Sequence, residues 1–144
     1  MSMGVRLVAV GLVLGTLWDL LTTFRGVADF FDLPLDPNIN PSQFAFGLVV
    51  TMVIFGFVIA THLIWNLHSS DAPALVLKAA WGACVVIDLF TSWEGTKHFV
   101  FYGDDGDAVR GLGLAVVTAL IVSSTIFLSK LLLAGEGGNK PLLF

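Results

Sequence analysis

Two aspartates, Asp19 and Asp88, lie inside long apolar runs, and each is followed at i+3 and i+4 by hydroxyl residues: Thr22 and Thr23 in one case, Thr91 and Ser92 in the other. On a helix these positions share a face with the aspartate. A carboxylate at the centre of a membrane span costs about 2.5–3.5 kcal/mol on insertion scales. Both aspartates also fall toward the C-terminal end of their runs, where the helix dipole disfavours negative charge. Carboxylate and hydroxyl oxygens together suit a proton or a hard monovalent or divalent cation rather than a soft metal. Two close carboxylates can also share one proton. The same groups serve equally well as polar glue between helices, each Asp bonded to Thr, Trp or Arg on a neighbour. The residues alone leave both readings open.

The two aspartates belong to an internal repeat. Asp19-Leu20-Leu21-Thr22-Thr23-Phe24-Arg25-Gly26 matches Asp88-Leu89-Phe90-Thr91-Ser92-Trp93-Glu94-Gly95 at an offset of 69 residues. From Asp19 to Phe30, five of twelve positions are identical, and they include Asp, Thr and Gly rather than leucine alone. Small residues precede each aspartate at i−8 and i−4: Gly11 and Gly15 in the first copy, Ala80 and Cys84 in the second. Such a stripe lets another helix approach closely. Arg25 and Glu94 occupy equivalent positions with opposite charge, as do Asp29 and His98, so two interfacial charge pairs across the repeat are expected.

Other chemistry is sparse. His62 and His68 are six residues apart and point about 120° away from a common face, a poor arrangement for a metal or haem. Asp104, Asp105 and Asp107 form a possible weak cation loop, but the remaining EF-hand ligands are missing and a solvated turn is expected. Cys84 is the single cysteine, which excludes an intrachain disulfide. A net charge of −4 without any basic cluster argues against nucleic-acid binding. No nucleophile–base pair, hydrolase, kinase or dinucleotide motif is present, so no enzyme, no metal centre and no cofactor is expected beyond the hard cation considered above.

The elements that must position these residues are plain from composition. Of 144 residues, 56% are hydrophobic and 12% charged, with a mean hydropathy of +0.90. A soluble domain carries about twice that charged fraction. Four apolar runs, about Val5–Phe24, Phe44–Leu67, Ala74–Trp93 and Gly111–Leu131, each approach the roughly 20 residues that cross a bilayer as helix. The N-terminal run has no small-residue cleavage site and reads as a retained span rather than a signal peptide. The segment from Asp32 to Pro41, with three prolines and two asparagines, is a loop. The stretch from Arg25 to Asp32 is either an interfacial helix or an extension of the first span. Phe30, Phe31, Trp93 and Phe99 suit the headgroup region.

The expected fold is all-α and integral to the membrane. Residues 1–144 form a single domain of four transmembrane helices, built as two parallel-repeat hairpins (about 5–67 and 74–131) with a flexible tail over 134–144. Arg6, Lys78, Lys130 and Lys140 against Arg25, Lys97 and Arg110 give a positive-inside vote for both termini in the cytoplasm, in a bacterial or archaeal cytoplasmic membrane. Arg6 through Gly11, followed by Thr16 and Asp19, resembles the start of the GtrA-like lipid-linked-sugar flippases over about fourteen residues. The second span lacks a matching polar and basic pattern, and no function is taken from that likeness. Two functions are expected. One is an oligomeric ion or proton channel or transporter subunit using the paired carboxylates. The other is a non-catalytic accessory or structural subunit of a larger membrane complex. The expected partners are the lipid bilayer and either further copies of the chain or other membrane subunits.

Overall fold

The computed structural model describes residues 3–67, 71–102, 104 and 106–134. The chain is all-helical there, with α1 (Met3–Phe30), α2 (Pro41–Ile59), a short α3 (Thr61–Trp65), α4 (Ala72–Phe101) and α5 (Ala108–Ala134). All but α3 are long and apolar enough to cross a membrane. His68, Asp105 and the tail from residue 135 onward lie outside the described residues.

Two spans run further than hydropathy marks. The stretch from Arg25 continues α1 to Phe30, supported by an i,i+4 ion pair between Arg25 and Asp29 at 3.0 Å. Likewise α4 passes Trp93 and reaches Phe101, with Lys97 paired to Glu94 at 3.2 Å. Both helices end on a left-handed residue. Asp32 (φ 53°) follows α1, with the Leu33 N–H donating to Ala28 O at 2.8 Å, and Tyr102 (φ 53°) follows α4, its N–H donating to Lys97 O. The second span is shorter than expected. It breaks at Ala60 (ψ 2°), where the Thr61 hydroxyl turns back to Val58 O and Trp81 Nε1 donates to Thr61 Oγ1 at 2.8 Å.

The caps follow from local chemistry. Asn40 Oδ1 accepts from the Gln43 N–H at 3.2 Å, with Pro41 opening α2. Asp107 Oδ1 accepts from the Arg110 N–H at 2.9 Å at the start of α5. Ring contacts Phe24–Phe44 and Phe31–Phe46 join the end of α1 to the start of α2. The Trp65–Trp81 contact and the Lys78–Leu67 O bond (3.1 Å) join α3 to the start of α4 in the same way.

The helices α1 and α4 cross at their glycines. A Cβ on Gly26 would lie 2.1 Å from Thr91 O, and one on Gly95 would lie 2.0 Å from Thr22 O. Only residues without a side chain allow the backbones to touch like this. The contact is reciprocal: each glycine meets the residue that its counterpart, 69 positions away, has four residues before it. The buried positions of α2 and α5 also share a register, Gly47, Thr51 and Val58 against Leu114, Thr118 and Thr125 at an offset of 67.

The interior is more polar than the outside. Among the described residues, buried apolar side chains are few (Val27, Ile54, Val58, Ile64, Leu114 and Val122 among them), whereas twelve buried residues are Thr, Ser or Asp. Leu7, Leu14, Leu17, Leu21, Val49, Ile87 and Leu120 face outward. In lipid the hydrophobic effect does not drive helices together, so small residues and hydroxyl hydrogen bonds form the contacts.

Candidate functional site

The Asp19 and Asp88 side chains meet in the middle of the bundle, both 0% exposed. Each carboxylate contacts a hydroxyl on the other's helix: Ser92 Oγ lies 2.7 Å from Asp19 Oδ1, and Thr23 Oγ1 lies 2.7 Å from Asp88 Oδ1. Thr23 and Ser92 also touch each other at 3.0 Å. Because Ser92 lies 69 residues after Thr23, and Asp88 69 after Asp19, this contact is reciprocal too. Thr22 and Thr91 complete the likeness, each hydroxyl donating to its own helix: Thr22 to Trp18 O and Thr91 to Ile87 O, both at 2.9 Å. Such back-bonding satisfies a hydroxyl without a second helix and leaves its backbone free for the glycine crossing.

The likeness ends at the second oxygen of each carboxylate. Asp19 Oδ2 accepts from Thr125 Oγ1 on α5 at 2.7 Å, while Asp88 Oδ2 is buried with no hydrogen-bond partner among the described residues. In the shared register, Thr125 corresponds to Val58 of α2, a side chain of the same shape without the hydroxyl. The Thr118 hydroxyl is a second buried group lacking a partner. Thr125 was not among the residues singled out from sequence. It has no hydroxyl at its counterpart position, so the repeat gives no signal for it.

The remaining candidates are distributed as follows. Gly15 packs closely, with a Cβ there 2.3 Å from Ser124 Oγ, and Ala80 and Cys84 are half-buried. Gly11 makes no close packing contact within the chain: it is exposed, and a Cβ there would meet nothing within 4 Å, since the tight approach of α1 to its neighbours begins at Gly15. The close crossing belongs instead to Gly26 and Gly95, two residues matched in the repeat whose spacing from the aspartates, seven positions, was the available signal. Arg25 and Glu94 do not pair; each is held by a nearer partner on its own helix, Asp29 and Lys97. Asp29 and His98 do meet, His98 Nε2 lying 3.1 Å from Asp29 Oδ2.

In the acidic turn, Asp107 is the cap of α5, and Asp104 is engaged by Arg110 at 3.3 Å and by the Gly106 N–H at 3.1 Å. Among the described residues no three His, Cys, Asp or Glu side chains converge as a metal site. His62 contacts Asn66, one turn along, at 3.2 Å. A cleft of about 600 Å³ between α1, α2 and α4 is lined by apolar groups, including Val27, Phe30, Val53, Cys84, Ile87 and Phe90. Neither aspartate lines it.

Against known proteins, no family model matches this chain, and no curated protein or solved structure is significantly similar to it.

Proposed function

We propose that this chain is a non-enzymatic subunit of a small ion- or proton-transporting membrane assembly, with Asp19 and Asp88 as the groups that hold the transported species. The observation that carries this reading is the pair of carboxylates joined through Thr23 and Ser92 and wholly sealed inside the bundle. Ionisable groups are the most costly way to fix helices in lipid, and inside a span they mark ion or proton sites by default. Serine and threonine alone would supply interhelical bonds at far less cost. The unpartnered Asp88 Oδ2 supports the same reading, because a purely structural network gains by satisfying every oxygen.

The reciprocal contacts between α1 and α4 further suggest two copies of one hairpin related by a two-fold axis along the membrane normal, and the distribution of Lys and Arg favours both termini on the cytoplasmic side. One four-helix unit has little room for a pore, so several copies, or movement between the hairpins, are needed for passage.

Proteoliposomes test the proposal. Wild-type protein should move protons or cations, and the double variant D19N/D88N should abolish flux while retaining helix content. Absence of flux from wild-type protein in every ion gradient overturns it. The apolar cleft between α1, α2 and α4 favours a second reading, an accessory subunit that seats a partner's transmembrane helix there. Stoichiometric copurification with a larger membrane protein, sensitive to Ile87→Trp in the cleft, would favour that reading.

A further inference from the structure

The contacts between the two carboxylates require one more hydrogen than the hydroxyls supply. Three oxygen–oxygen contacts run in series: Asp88 Oδ1 to Thr23 Oγ1 at 2.7 Å, Thr23 Oγ1 to Ser92 Oγ at 3.0 Å, and Ser92 Oγ to Asp19 Oδ1 at 2.7 Å. Each needs a hydrogen, and each hydroxyl carries one. If both carboxylates were ionised, Thr23 and Ser92 would each donate to a carboxylate, and two lone pairs would face each other across the central 3.0 Å. The Thr22 hydroxyl does not fill that gap. It lies 3.3 Å from Ser92 Oγ and 2.9 Å from its own acceptor, Trp18 O.

We infer that Asp19 and Asp88 hold a single proton between them, passed through Thr23 and Ser92, so that the species bound at this site is a proton rather than a metal cation. The inference deepens the transport reading above and rests on it for its physiological meaning. With the proton on Asp88, every contact in the series has its hydrogen: Asp88 donates to Thr23, Thr23 to Ser92, and Ser92 to Asp19. In the reverse state the O–H bond of Asp88 breaks and one forms on Asp19, while each hydroxyl gives up one hydrogen and receives another. The pair carries one negative charge throughout, and no other reactant is needed.

The surroundings choose between the two states. An ionised Asp19 accepts from both Ser92 and Thr125, whereas an ionised Asp88 would leave Oδ2 bare. A buried carboxylate without donors is far more costly than a carbonyl oxygen without one. The proton therefore rests on Asp88 and the charge on Asp19. Nearby cations are otherwise engaged: Arg25 and His98 with Asp29, and Lys97 with Glu94. Cys84, one turn below Asp88 on α4, contributes no positive charge. One buried charge instead of two removes much of the desolvation cost that an unpaired carboxylate pair would incur.

Infrared spectroscopy of the full chain in lipid nanodiscs at neutral pH tests this. The wild type should show the carbonyl stretch of a protonated carboxylic acid. The band should sit toward the high-frequency end, because Asp88 Oδ2 has no donor, and it should shift down in D2O and on carboxyl-13C aspartate labelling. D88N should lose the band and D19N should keep it; if D88N does not fold, the isotope shifts of the wild type decide the matter. Absence of the band from wild type, its persistence in D88N, or a sodium-dependent carboxylate shift without an acid band each overturns the inference. Flux without the acid band refutes the shared proton and leaves the transport reading standing. The band without flux does the reverse.

Discussion

Around Asp19, Ser92 and Thr125 each meet one carboxylate oxygen at 2.7 Å; around Asp88, Thr23 meets one oxygen at 2.7 Å and the other has no partner among the described residues. The two aspartates otherwise match, equally buried, equally placed relative to a glycine seven residues on, and bonded reciprocally across the α1–α4 crossing. What separates them is the Thr125 hydroxyl on α5, which reaches Asp19; the residue in the same register on α2 is Val58, which has no hydroxyl. A near-symmetric scaffold thus carries an asymmetric charge site. The difference arises not in the helices that bear the acids but in the ones beside them.

Three further experiments break or sharpen this comparison. At the crossing, where the halves are alike, Gly26→Ala and Gly95→Ala should be equally harmful. Each puts a methyl about 2 Å from a backbone carbonyl oxygen, and overpacking of that kind costs about 3 kcal/mol. Unfolding of the two variants in detergent, followed by circular dichroism, should give matching losses; a large difference between them would mean that the crossing is not the symmetric element described. Where the halves differ, the flanking residue should matter in opposite senses. Thr125→Val removes a donor from Asp19 and should destabilise by about 1.5 kcal/mol, the usual worth of a hydrogen bond to a charged group. Val58→Thr puts a hydroxyl at the register equivalent of Thr125 and is expected to be neutral or stabilising, the result that would mark position 58 as the place of the donor Asp88 lacks. If Val58→Thr is as harmful as Thr125→Val, the assignment of the difference to this pair fails. The smallest effect belongs to the half-exposed cluster of Arg25, Asp29 and His98, where Asp29→Asn should cost less than about 1 kcal/mol in the same assay.

The spans were legible in the sequence because hydrocarbon demands some twenty apolar residues per crossing, whatever they pack against. Their ends were not. Arg25, Asp29, Glu94 and Lys97 look like loop residues to a hydropathy window, yet as pairs within a turn of helix they carry α1 and α4 onward. The break at Ala60 has no proline or glycine to announce it and depends on Thr61 and Trp81. At the site, the 69-residue repeat pointed to Asp19, Asp88 and the hydroxyls that follow them. It could not point to Thr125, whose significance lies in having no hydroxyl counterpart, nor could it show that Arg25 would prefer Asp29 to Glu94. A one-dimensional repeat identifies what two halves share and is silent on what distinguishes them.

Where backbones touch, helices can neither slide nor separate without losing contact, and rotation about the point of contact is the motion that remains. A change in crossing angle would make Gly26 and Gly95 the fulcrum for α1 and α4. The aspartates sit seven residues along the same helices, a lever arm of about 10 Å at 1.5 Å per residue. Turning each helix through about 10° on that pivot would carry its aspartate some 2 Å, more than a hydroxyl bond tolerates. Opening and closing the scissors would break and remake the hydroxyl contacts between the acids while the joint itself stayed packed.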